Sequence, residues 1–154
     1  MRLHSLYLQN YIGIYNGIGR DTISINFSKC INPITVIRGD NGSGKSTLFK
    51  ALTPFSDPST SLIPNREARK IISYSMLSGE IIQIDYRYPI SNKGERKQTR
   101  CYVNRISNGQ STELNPNGNI KDGKDIINDV FDFDPTFVSL SQLSSDNRGI
   151  ADKR

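Results

Sequence analysis

Gly39, Gly44, Lys45 and Ser46 fall in the stretch GDNGSGKS at the spacing G-x-x-x-x-G-K-[ST]. Those residue types at that spacing make phosphate-binding chemistry. Gly39, Gly42 and Gly44 let a backbone wrap closely through conformations that a Cβ would forbid. The N–H groups of Asp40, Asn41, Gly42, Ser43 and Gly44 can then converge on phosphate oxygens. A helix starting behind them adds partial positive charge. Lys45 is placed to reach the β- and γ-phosphates of a nucleotide, and the Ser46 hydroxyl to ligate Mg²⁺. Thr47 offers a second hydroxyl, near the α-phosphate.

The loop needs a strand before it and a helix after it. Ile34–Ile37 (ITVI) is a short apolar, β-branched run between Pro33 and Gly39, which predicts a buried strand. Behind the loop, Leu48, Phe49, Ala51 and Leu52 recur at helical spacing, and Pro54 stops or kinks that helix.

Along the rest of the chain, Leu3 to Asn10 reads as a first strand and IGIYNGIGRD as a glycine-rich turn. TISINF alternates Ile23, Ile25 and Phe27 against Ser24 and Asn26, which predicts a half-buried strand antiparallel to the first. TPFSDPSTSLIPN is a loop, and REARKIISYSML fits either a helical turn or a strand. Residues 79–107 predict a β-hairpin, with Ile82, Ile84, Tyr86 and Tyr88 on one face of its first strand. SNGQSTELNPNGN reads as a loop. KDGKDIINDVFDF reads as an amphipathic helix with Ile126, Ile127, Val130 and Phe131 as its stripe. Tyr86, Tyr88 and Tyr102 are expected to pack inward rather than to stack on bases.

The chain has 154 residues with 20 Lys+Arg against 15 Asp+Glu, a formal +5, which is compatible with a polyanionic partner. That length suffices for one domain with a core. Cys30 and Cys101 lack metal-ligand spacing and are expected to be free thiols in a reducing compartment. No apolar run approaches the length of a membrane span, and MRLHSLYLQNY is too short and polar for a signal peptide. A cytoplasmic protein is expected. His4, the one histidine, is expected to be structural. Ser78-Gly79 faintly matches an ABC signature loop but lacks its second glycine and glutamine, so a turn before the hairpin is the better reading.

The order strand, glycine turn, strand, strand, GDNGSGKSTLFKAL within the first 52 residues resembles the SbcC-like DNA-repair ATPases, relatives of the SMC proteins among the ABC-type ATPases. Asn41-Gly42 before Ser43-Gly44-Lys45-Ser46 is typical of that group. The closing FVSLSQLSSDNRGIADKR is similar to the family's Q-loop region, about 137–146, in phage-encoded members as well as cellular ones. The resemblance implies a bacterial cytoplasm, that of an infected host where the member is phage-encoded.

The resemblance implies an α/β fold: a P-loop NTPase core of an ABC-ATPase-like head with an antiparallel β-subdomain. It implies ATP and Mg²⁺ as ligands, Lys45 stabilising charge on the transferred phosphoryl group, and Gln142 reaching Mg²⁺ and the attacking water. It also implies a second ATPase head, an SbcD-like nuclease and DNA as partners. Ile12 and Gly13 stand where many members carry a phosphate-touching arginine, with Arg20 or backbone N–H groups as candidate replacements. The family's coiled coil, signature motif, Walker B strand and switch histidine have no counterpart in these 154 residues. Residues 1–154 are therefore expected to be the N-terminal lobe of a split head, completed by a C-terminal lobe, with little turnover alone. A RecF-like, SMC-like or anti-phage defence ATPase head is the alternative within the class. A non-catalytic nucleotide-binding module is the alternative outside it.

Overall fold

A computed structural model describes residues 1–29 and 36–132. Its scaffold is one six-stranded sheet, and every neighbouring pair is antiparallel. The strands are β1 (Arg2–Gln9), β2 (Thr22–Asn26), β3 (Ala68–Ser75), β4 (Ile81–Tyr88), β5 (Arg100–Ser107) and β6 (Gln110–Glu113), in spatial order β2-β1-β3-β4-β5-β6. Among the described residues three α-helices accompany them: α1 (Ile12–Ile18), α2 (Lys45–Ala51) and α3 (Ile120–Phe131). The fold is therefore α/β, and among the described residues its sheet is wholly antiparallel.

Period-two alternation decides the faces. Leu6 and Leu8, Ile72 and Tyr74, Ile82 and Ile84, Tyr86 and Tyr88, Cys101 and Val103 share one face and are buried. Ile14 of α1, Leu48 and Ala51 of α2, Ile127 of α3, Phe55 and Leu62 complete the same core. On α3, Ile126, Val130 and Phe131 pack against it as the stripe requires, and Phe131 meets Tyr74 edge-on.

The segment after α2 is held by the core face of the sheet. Tyr74 donates its hydroxyl to Leu52 O, Tyr86 to Pro54 O, and Lys70 its ammonium to Phe55 O. Backbone carbonyls that would otherwise be orphaned by the end of α2 and by Pro54 thus find partners inside the protein.

Several expectations are corrected. IGIYNGI is a helix rather than a turn, closing on Gly19 in the left-handed conformation. The ambiguous stretch before Met76 is strand β3. QSTE, read within a loop, is the edge strand β6, paired to β5. Its residues are all exposed, which is why hydrophobic patterning gave no sign of it. Of the strand expected at Ile34–Ile37, residues 34 and 35 lie outside the described residues. Val36 and Ile37 belong to no strand, and Val36 is 69% exposed. Phe49 of α2, expected on an apolar face, is 72% exposed. No helix of the described residues is long and apolar enough to cross a membrane.

Candidate nucleotide-binding site

The glycine loop turns as its sequence requires. Gly42 and Gly44 have φ of 83° and 87°, the left-handed region that favours glycine. Ser43 N–H closes a turn on Asp40 O, and Leu48 N–H donates to Gly44 O, so the helix begins directly behind the loop. Gly44 occupies the N-cap with no side chain in the way. Lys45 folds back over the loop. Its ammonium donates to Gly39 O at 2.7 Å and to Asp40 O at 2.6 Å. An ammonium has three donors, so one remains for a ligand.

The other predicted residues fall around this clasp. Asp40, Asn41 and Gly42 are exposed, Ser43 and Gly44 are half-buried, and Ser46 is exposed on the first turn of α2. Thr47 faces the opposite way: its hydroxyl lies directly against Gly13 of α1. Gln142 and Cys30 lie outside the described residues. Among the described residues no group of three or more His, Cys, Asp or Glu forms a metal site. Of the two hydroxyl residues that follow Lys45, Ser46 is the exposed one.

A feature the sequence reading missed supports the loop from behind. Gly13 and Gly17 are four residues apart on α1, so they share one face of that helix. A Cβ at Gly13 would strike Thr47, and one at Gly17 would lie 2.7 Å from both Gly42 O and Gly44 N. A Cβ at Gly44 would in turn lie 2.6 Å from Gly13 O. The two backbones touch, and only glycine allows it. The i, i+4 spacing in IGIYNGI was the available signal.

Beneath α1 lies a buried polar network. Tyr11, the N-cap residue of α1, donates its hydroxyl to Asp57 Oδ2 at 2.8 Å, and Lys70 reaches the same oxygen at 3.1 Å. Asp57 N–H donates to the Tyr88 hydroxyl. Lys70 is fully buried, and burial pushes its pKa down while Asp57 pulls it back up. Burial pushes the Tyr11 hydroxyl well up. Every partner in the network is satisfied, as a buried charge demands. The remaining candidates resolve simply. Tyr86 and Tyr88 are buried as expected, whereas Tyr102 lies on the opposite face of the sheet, half-buried under Arg87. His4 bonds the Ser75 hydroxyl, a structural role. Gly79 sits in the turn between β3 and β4, with its N–H on Met76 O.

A glycine loop closed by lysine at the head of a helix is the arrangement that suits a phosphate cradle. The family model for an AAA domain matches residues 5–147, nearly the whole chain, and the protein belongs to that family. A comparison with curated protein sequences finds no match.

Proposed function

We propose that this AAA domain binds ATP with Mg²⁺ through residues 39–47 and serves as the N-terminal lobe of an SbcC-like ATPase head. The observation that carries the nucleotide reading is the Lys45 clasp on Gly39 O and Asp40 O, held in a loop whose left-handed glycines are backed by α1. Its carbonyl partners place the ammonium at the loop mouth, where β- and γ-phosphate oxygens can take its free donor. Ser43 N–H is bonded to Asp40 O, and the loop N–H groups that remain are the donors for phosphate oxygens, fixed by the turn before the ligand arrives. Ser46 supplies a hydroxyl to the cation, which when bound neutralises charge on the phosphates.

In this reading a C-terminal lobe supplies the water-activating carboxylates, and Gln142 joins them. Two heads close on ATP, and closure governs a nuclease acting on DNA ends. The resemblance of residues 1–52 to SbcC-like ATPases supports those partners. The test is a thermal melt with and without Mg²⁺–ATP, in the parent and in Lys45→Ala. The parent should melt higher with nucleotide and the variant should not. Equal shifts in both would reject the site.

A further inference from the structure

The sheet carries a second charged feature far from the glycine loop in sequence. Arg69 of β3 pairs with Arg87 of β4, and Arg87 pairs with Arg100 of β5, so three arginines stand in one cross-strand row. Like charges directly opposite on neighbouring strands are destabilising. One carboxylate holds the row together. Asp85, nearly fully buried, accepts from Arg69 Nε and Nη2 at 2.8 Å each and from Arg87 Nε at 2.9 Å. The Arg87 guanidinium also lies over the Tyr102 ring, 4.4 Å from its centroid.

Three cations thus face one anion, and Arg100 makes no ion pair among the described residues. Lys97 and Glu67 on the same wall cancel. The arginines line an open groove of about 960 Å³. Their side chains remain available, with Arg69 40% and Arg87 52% exposed.

We propose that this arginine row is a binding site for the phosphate backbone of nucleic acid. Neighbouring strands lie about 4.8 Å apart, so the row spans roughly 10 Å. Along a duplex axis, where each strand carries a phosphate about every 3.4 Å, that length corresponds to about three nucleotides. A planar guanidinium pre-oriented by a buried carboxylate loses little freedom when it grips a phosphate. The Tyr102 ring is covered by Arg87 on one side and borders Gly118, so it steadies the arginine rather than stacking on a base. Recognition is therefore of phosphate and independent of sequence. The charge and geometry stand without the nucleotide site. Only the choice of DNA as the polymer rests on the function proposed above.

The test is fluorescence anisotropy of labelled single-stranded and duplex DNA of mixed sequence, titrated with the chain over a series of salt concentrations. Arg100→Gln is the probe variant, because Arg100 is exposed and anchors nothing else. Arg105→Gln is the control: it removes an exposed arginine five positions along β5, on the other face of the sheet. The parent should bind, with an affinity that falls steeply with salt. Arg100→Gln should weaken binding on all sequences alike and reduce the salt slope by about 1, while Arg105→Gln should match the parent. No binding by the parent at low salt, or equal losses in both variants, would overturn the proposal. Nucleotide-induced melting shifts on the same samples separate the two sites. Their absence alone rejects the glycine-loop reading and leaves the arginine row standing.

Discussion

A Cβ built on Gly17 would stand 2.7 Å from the carbonyl oxygen of Gly42, closer than real Cβ atoms approach any backbone. Helix α1 and the glycine loop are therefore in direct backbone contact, and the shape of one constrains the other. Gly17→Ala should force the two apart. Overpacking of this kind costs about 1–3 kcal/mol. The variant should lose most nucleotide-induced stabilisation, read as the difference in Tm with and without Mg²⁺–ATP. Gly19→Ala makes the contrast. Gly19 is also left-handed but has open space around its Cβ, so the variant should lose about 1 kcal/mol and keep its nucleotide response.

Lys45→Ala removes two hydrogen bonds to carbonyls of an exposed loop, which water can replace. The melting temperature without nucleotide should change little. A ligand at about 100 times its Kd stabilises by about 2.7 kcal/mol, and that increment should vanish in the variant.

Asp57 is the only carboxylate facing Lys70 among the described ion pairs, and Lys70 is fully buried. Asp57→Asn leaves a buried ammonium without its counter-charge and should cost about 3–5 kcal/mol in chemical denaturation. Replacing both residues, as Asp57→Asn with Lys70→Met, should cost less than Asp57→Asn alone. A double variant no better than the single one would show that the pair is not coupled.

Alkaline pH should unfold the protein through groups that burial holds protonated. The Cys101 thiol is pushed from 9.0 up to about 11, and the hydroxyls of Tyr11, Tyr74, Tyr86 and Tyr88 are pushed above 10.0, all chiefly by burial. For each, the unfolded chain loses its proton first, so the stabilisation is complete below the unfolded pKa and declines as pH rises past it. Lys70 acts in the opposite sense. Its lowered pKa costs stability at neutral pH, and that cost is relieved as pH rises towards 10.5. One lysine opposes four tyrosines and a thiol, so Tm should begin to fall near pH 9. Cys101→Ala should move that onset towards pH 10, in melts taken from pH 7 to 11.

Asp85→Asn should expose the repulsion along the arginine row. The loss should be about 2–4 kcal/mol at low ionic strength. Added salt should restore part of it by screening the guanidinium groups. A variant whose deficit is independent of salt would show that Asp85 acts by packing alone.

Where local pattern and burial agree, the sequence was sufficient. The alternation in TISINF placed β2 against β1, EIIQIDYRY placed β4 with its tyrosines inward, and the stripe of α3 named the residues that pack. The glycine loop is legible because its glycines, lysine and hydroxyl fall within one short local stretch, residues 39–46. The failures share a physical cause. Two glycines lower helix propensity by about 1 kcal/mol each, so α1 reads as a turn until its contact with the loop explains them. Lys70 interrupts an apolar face, so β3 reads as ambiguous until Asp57, thirteen residues earlier, supplies its counter-charge. Exposed β6 exists because β5 offers an edge to pair with. The row of Arg69, Arg87 and Arg100 exists only through strand register. Residue types and local spacing are written along the chain. Close approach, charge pairing and register depend on which segments meet, and only the tertiary structure decided those.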